Sequence, residues 1–432
     1  MAWLSTIVTL DKVDERPICR VLIVNQHGDN RGDEAALHGM LSGVTAEAAR
    51  RGCSVSFTVV HQFSDDRSAR VLAEVSGFDV EWIPLRLSPL EGARLVAFLF
   101  LGRFLRWRWL LGRVGVTTVA AYESADVVVS APGGPYFGDL YVGHEAVHWL
   151  YVWMARMFAK PSMLYATSAG PFEKRWANTF RRFTYRTFGT VFVREEISRA
   201  HIRALFGKRR RNVSVNVSAD AALQVSVPAA RRDGSRRLVV VSAINYPYDN
   251  DPSPAVRRAK YDASVVAAVS VLVDGRPAEV VLVAQLHDSV HRDTPYLEHL
   301  AVLIRAAVVG DDVVVTVLDE SCDMLAQRAL FASADFVFAG RYHPAVFALS
   351  AGVAQLCVPY EHKATGVLQL AGLSDVVVPL HDVSPERLSA AACYVVENAE
   401  SVRSRSREAA AHLAEVSART SRAVVDLMLG AQ

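Results

Sequence analysis

The sequence predicts an α/β protein built from two doubly wound, Rossmann-like domains facing each other across a cleft. Three observations carry this. A chain of 432 residues is too long for one ordinary core, so two domains are expected. Short β-branched and aliphatic runs alternate with helical patterns along the chain. Finally, Val225 to Arg237, VSVPAARRDGSRR, is a Pro-, Gly- and Arg-rich break after which the alternation starts again. The amino-terminal domain is placed at residues 1–228 and the carboxy-terminal domain at 237–432, with a last helix that crosses back onto the first.

Composition narrows the function classes. Hydrophobic residues make up 51% and charged ones 21%, enough apolar material for large cores and too much for a mainly disordered chain. Basic residues number 47 and acidic ones 45, a formal charge of +2, so no overall field argues for nucleic acid and any anion site must be local. The five cysteines, Cys19, Cys53, Cys322, Cys357 and Cys393, show no C-x-x-C pair or zinc-ligand spacing and read as free thiols of a reducing compartment. MAWLSTIVTLDKVDERP has no basic stretch before an apolar run and no small-residue cleavage site, so a cytoplasmic location is expected.

In the first half, Val21 to Val24 reads as a strand leading through Asn25-Gln26-His27-Gly28-Asp29-Asn30-Arg31-Gly32-Asp33-Glu34 into a helical pattern at Ala35, Leu37, Met40 and Leu41. Asp33 is suited to cap that helix. The amides and glycines of the same loop can hold a phosphate or a sugar hydroxyl. Neither G-x-G-x-x-G nor a P-loop is present. Strands are also expected at Ser54–Val60, Asp126–Ser130 and Ser162–Ala166. The loop Ala131 to Asp139, with Gly133, Gly134 and Tyr136, follows one of them and permits close backbone approach to a ligand. Thr167 to Phe172 turns at the next strand end, and Val191-Phe192-Val193-Arg194-Glu195 ends another with a cation.

Leu95 to Arg113, LVAFLFLGRFLRWRWLLGR, is aromatic and basic with no acidic residue. Its arginines rule out a bilayer span of ~20 mainly apolar residues. Two readings stand: a helix lying in the membrane interface, or one packed on the sheet with its arginines reaching outward.

In the second half, strands are expected at Leu238–Ser242, Glu279–Ala284, Asp312–Leu318, Asp335–Ala339 and Leu356–Val358. Gln285-Leu286-His287-Asp288 is a polar strand end, but with His291 and Asp293 it lacks regular ligand spacing, so no metal is assigned. Gly340 permits a sharp turn before Arg341 and His343, and Lys363 is placed in the loop after the next strand. Ligands of open α/β sheets collect beyond the carboxyl ends of strands, so these three cations point to one crevice and an anionic ligand. The last helical stretch, from about Pro385 to Leu429, is expected to break near Ser401 to Ser406.

R-x-H-x-x-x-F-A-L-x-x-G from Arg341, followed by V-P-Y-x-x-K to Lys363, resembles the second half of the polysaccharide pyruvyl transferase family. D-N-R-G-D-E-A at 29–35 and V-R-E-x-x-S at 193–198 resemble its amino-terminal motifs. The resemblance implies a glycosyltransferase-B type of fold and transfer of the enolpyruvyl unit of phosphoenolpyruvate onto two hydroxyls of one sugar. A cyclic pyruvate ketal and phosphate result, and no cofactor is involved. A donor with a carboxylate and a phosphate needs several cations, which Arg194, Arg341 and Lys363 supply. His343 can give the proton because imidazole titrates near neutral pH. Asp33 or another carboxylate of the first domain can orient or deprotonate the acceptor hydroxyl. Asn30, Gly133, Gly134 and Tyr136 are left to the acceptor, a sugar that can be lipid-linked, with residues 95–113 as the membrane contact. The rivals are a nucleotide-sugar glycosyltransferase of the same fold and a non-catalytic sugar-binding or scaffolding protein. Thr365 to Ala371 carries no acidic residue for a ribose, which counts against the first.

Overall fold

The computed structural model describes residues 17–28, 30–61, 77–84, 89–99, 111–134, 137–139, 142–207, 213–225, 234–248, 251–286, 292–308, 312–318 and 322–430. Two parallel sheets organise them. The first contains β1 (Ile18–Gln26), β2 (Ser54–His61), β3 (Val80–Pro84), β4 (Val127–Ser130), β5 (Ser162–Thr167), β6 (Thr190–Val193) and β7 (Val215–Val217), in the order β3-β2-β1-β4-β5-β6-β7. The second contains β8 (Arg237–Ser242), β9 (Ala278–Leu282), β10 (Val313–Val317), β11 (Phe336–Ala339) and β12 (Ala354–Cys357), in the order β10-β9-β8-β11-β12.

The central strands are near-continuous Val, Ile, Leu and Phe runs because helices cover both faces of each sheet. In the first domain one core lies on each face, around Leu37, Met40 and Phe57 on one side and Leu95, Tyr122 and Tyr151 on the other. The strand order reverses between β1 and β4, and again between β8 and β11. Ligand crevices open at such switch points, beyond the carboxyl ends of the strands.

Two strands, β3 and β7, escape the sequence reading. Both are short, partly exposed edge strands with no sustained apolar run.

The helix Ala399–Gly430 ties the domains together. Its Val402 and Leu413 belong to the core of the second domain, and its Val424, Val425 and Met428 to that of the first. The helical break precedes it at Asn398, not at Ser401 to Ser406. Those serines stay helical because tertiary contacts hold that turn: Val402 and Ser406 are buried, Arg403 donates to the Asp335 carbonyl and Arg405 pairs with Asp375. Near its far end Ser421 bonds Tyr165 at 2.6 Å, and Ser417 donates to the Asp220 carbonyl at 3.0 Å.

The helix Arg31–Arg50 presents Gly32, Gly39 and Gly43 along one face, at helical spacing. A Cβ at Gly39 would lie 2.0 Å from the Ala221 carbonyl, and one at Gly43 1.9 Å from Gln224 Oε1. Small residues there let the turn Ala221–Gln224 press against the helix, which fixes the preceding residue, Asp220.

No helix among the described residues is long and apolar enough to cross a membrane. Residues 100–110 of the aromatic and basic stretch lie outside the described set. At its described ends Leu95, Phe98, Leu99 and Leu111 are buried in the core of the first domain.

Candidate active site in the interdomain cleft

The carboxyl ends of β1, β4 and β6 meet those of β9, β11 and β12 around a cavity of about 140 Å³. Asn30, Asp33, Gly134 and Arg194 line it from the first domain; Gln285, Arg341, Tyr342, His343, Tyr360 and Lys363 line it from the second. Backbone bonds close its floor: Asn30 bridges Leu286, and the Arg31 N–H donates to the Gln285 carbonyl at 3.3 Å.

Most of the residues singled out in the sequence therefore converge. Gly133 does not line the cavity; its φ of 133° serves a bridge to Thr167. Tyr136 lies outside the described residues, as do His287, Asp288 and His291. Asp293 is described, and its carboxylate accepts the Gln285 and Leu286 amides and pairs with Arg341 at 2.5 Å.

Three local expectations are corrected. Asn30, not Asp33, caps the first helix: its Oδ1 accepts the Gly32 N–H at 2.8 Å, leaving Asp33 in the first turn and facing the cavity. Asn precedes the turn with extended backbone, the geometry an N-cap needs. Lys363 lies in the first turn of the helix His362–Leu370, not in a loop. Gly340 has no left-handed backbone; a side chain is excluded because its Cβ would meet the Ser242 carbonyl at 2.7 Å.

Arg194 is buried at the end of β6. It donates to Asp220 at 2.7 Å and to Ser168 Oγ at 2.8 Å, and its guanidinium carbon sits 4.0 Å from the Tyr342 ring centroid. This is not an exposed Arg–Glu pair: Glu195 lies 3.7 Å away, equally buried. Lys363 Nζ is 2.8 Å from Glu361.

His343 is buried with its Nε2 3.8 Å from Asp220. Burial, reinforced by Arg194, Lys363 and Arg328 against the opposing pull of Asp220, pushes its pKa down to about 3. The imidazole is neutral at pH 7 before an anion arrives. Gly32 packs on the ring so closely that a Cβ there would lie 1.7 Å from Nδ1. Burial raises Asp33 to about 6, although Arg194 and Lys363 pull the other way.

Asp220, Tyr342 and Gly32 are functional candidates that sequence reasoning passed over. Asp220 accepts Arg194, the Tyr342 hydroxyl at 2.9 Å and the Ala222 N–H at 2.8 Å. Burial opposes its charge, but Arg194, His343 and these hydrogen bonds hold its pKa below the usual carboxylate range. The available signal was an Asp opening a helical turn in S-A-D-A-A-L. Four buried polar atoms at the cavity residues have no hydrogen-bond partner: Arg194 Nη2, Gln285 Oε1, Arg341 Nε and His343 Nε2.

A model of the polysaccharide pyruvyl transferase family matches residues 30–362. The chain belongs to that family. Its match runs from the Asn30 cap to the helix that carries Lys363, so it takes in nearly every cavity residue. The amylovoran biosynthesis protein AmsJ of Erwinia amylovora is 23% identical over 291 residues, covering 64% of this chain and 67% of that protein. A UDP-GlcNAc 2-epimerase from Neisseria meningitidis, solved with UDP-GlcNAc, superimposes with a TM-score of 0.54 at 11% identity, over 95% of this chain and all of that one. A trehalose 6-phosphate synthase from Burkholderia multivorans gives 0.54 at 13% identity, over 95% and 98%. These likenesses agree with a fold of the glycosyltransferase-B type. Family membership makes the protein a polysaccharide pyruvyl transferase, with a sugar acceptor.

Proposed function

We propose that this protein transfers the enolpyruvyl unit of phosphoenolpyruvate to two hydroxyls of one sugar, forming a pyruvate ketal and releasing phosphate. The observation that carries this is the pair of orphaned donors, Arg194 Nη2 and Arg341 Nε, buried around one cavity with His343 and Lys363. Buried donors without partners are costly, and an anion with both carboxylate and phosphate groups would satisfy them.

In this reading the anionic donor raises the pKa of His343, which then protonates the methylene carbon. The adjacent carbon becomes electrophilic and bonds to one acceptor oxygen, whose proton passes to Asp33. The carbon–phosphate oxygen bond breaks, the second hydroxyl adds, and its proton leaves with the phosphate as hydrogenphosphate. Asp33, held near 6, is charged at neutral pH yet basic enough to accept a proton. No cofactor enters the scheme. The acceptor, lipid-linked in this reading, approaches from the Asn30 and Gly134 side.

The test is phosphate release from phosphoenolpyruvate with a panel of glycosides, the sugar product being followed by mass. Acceptor-dependent release, lost in His343→Gln, is expected. Calorimetry in buffers of different ionisation heat should show proton uptake on donor binding at pH 7, absent in His343→Gln. Consumption of nucleotide sugars with phosphoenolpyruvate ignored would transfer the site to glycosyl transfer.

A further inference from the structure

We propose that the exposed aromatic face around Trp176 and the helix Asn178–Thr187 docks on an anionic phospholipid bilayer. Trp176, Phe180 and Phe183 are 62%, 46% and 46% exposed. Phe180 and Phe183 form the outer layer of an ordered slab, and Trp176 lies one helical turn before Phe180 in the chain. Phe180 stacks on Trp149 with ring centroids 5.3 Å apart, Trp149 stacks on Trp153 at 6.2 Å, and Phe183 meets Trp153 edge-on at 5.3 Å. Trp149 is buried, so the inner layer braces the outer one. Exposed aromatic rings braced from beneath in this way mark a binding face.

The surrounding charge selects the partner. From Glu173 to Thr187 the chain carries Lys174, Arg175, Arg181, Arg182 and Arg186 against one acid, Glu173. Arg181 is buried and engaged by Glu145 and Asp139. Lys174 and Arg175 adjoin Trp176 in the chain, and Arg182 and Arg186 share the helix of Phe180 and Phe183. A groove of about 380 Å³, lined by Thr179, Arg182, Arg186 and Phe206, runs along its side. Arg182 donates to the Leu205 carbonyl and Arg186 lies 5.3 Å from the Phe206 ring, which holds both guanidinium groups at the groove. A headgroup phosphate fits this groove while the rings enter the acyl boundary, the arrangement of an interfacial helix.

The segment is anchored to the fold: Asp139 accepts the Lys174 N–H at 3.1 Å and pairs with the buried Arg181 at 2.9 Å. Docking is measured without turnover and does not rest on the proposed function.

The test is co-sedimentation of the full chain with vesicles of phosphatidylcholine and of phosphatidylcholine mixed with phosphatidylglycerol. Binding to the mixed vesicles, weakened by salt, is expected. Trp176→Ala/Phe180→Ala/Phe183→Ala should lower the partition at least about tenfold with the melting temperature kept, and Arg175→Glu/Arg186→Glu should lower it as well. The proposal is overturned by absence of wild-type binding, or by binding that neither variant alters. It is equally overturned if the triple variant instead abolishes a concentration-dependent dimer in sedimentation velocity, which would give the face to a second copy of the chain.

Discussion

Asp33 and Asp220 both belong to the first domain, both are buried, and both feel the charge of Arg194, yet they titrate on opposite sides of an ordinary aspartate. Asp220 is surrounded: Arg194, the Tyr342 hydroxyl and the Ala222 amide all bond it, so burial is overcome and it stays charged. Asp33 opens the first turn of a helix on the cavity wall, and burial wins, lifting it to about 6. The contrast separates an electrostatic anchor from a group that can exchange protons. His343 is wedged between the two regions, its Nδ1 side against Gly32 and its Nε2 side towards Asp220.

The strongest way to break the contrast is to remove the anchor. Asp220→Asn leaves Arg194 buried without its main counter-charge, which typically costs about 3–5 kcal/mol. Denaturant unfolding at pH 7 should show that loss. The sign follows from the depressed pKa: the stability Asp220 contributes is present at neutral pH and is lost as pH falls through its folded-state pKa, so wild type and variant should converge in acid. A constant gap across the acid range would remove the anchor role.

Next in size is Gly32→Ala, which leaves both carboxylates in place and moves the residue between them. A Cβ 1.7 Å from His343 Nδ1 forces the ring aside. Turnover should fall by about 10²–10⁴, the usual worth of a positioned general acid, and stability by about 1–3 kcal/mol from overpacking. Steady-state kinetics beside a denaturant curve separates the two; near-normal turnover would take His343 out of the proton-transfer role.

Asp33→Asn sharpens the contrast by reversing the sign of a stability effect. A carboxyl raised from 3.8 to about 6 favours folding below its unfolded pKa, and that contribution is lost as pH rises through 6. Above pH 6 the buried charge costs the fold about 3 kcal/mol, so Asn should stabilise the protein there, with no gain near pH 4. Turnover should drop together with the acidic limb near pH 6 in kcat/KM. Destabilisation by Asn at pH 8 would show that the carboxylate is needed for folding.

These expectations also mark what could be read beforehand. Arg341, His343 and Lys363 were legible because each follows a buried apolar strand, where a cation has no reason to be except the crevice. Arg194 was legible by the same logic. Asp220 was not, because β7 is three partly exposed residues and its end gives no such signal. Gly32 was seen only as a loop glycine, since the ring that excludes its side chain comes from 311 positions further on, in the other domain. Local patterns show strand ends; contacts between domains do not leave a local pattern. The capping error has the same origin. Asn30 and Asp33 are both suitable residue types, and only the cavity wall decides which carboxyl or amide turns inward.

Tyr342→Phe is the smallest perturbation and isolates one strand of the anchor. The ring remains under Arg194 at 4.0 Å, so the cation–π contact survives, while Asp220 keeps Arg194 and the Ala222 amide. Only the hydroxyl bond at 2.9 Å disappears, and Phe brings no polar group to leave unsatisfied. A loss of about 0.5–1.5 kcal/mol is expected, and it should largely vanish in an Asp220→Asn background if the bond depends on the charge. Fewer donors on Asp220 also raise its pKa, so the acid-side convergence of the two curves should move to higher pH. An unchanged loss in both backgrounds would mean that Tyr342 supports the cleft through packing alone, and that Arg194 and the Ala222 amide suffice to keep Asp220 charged.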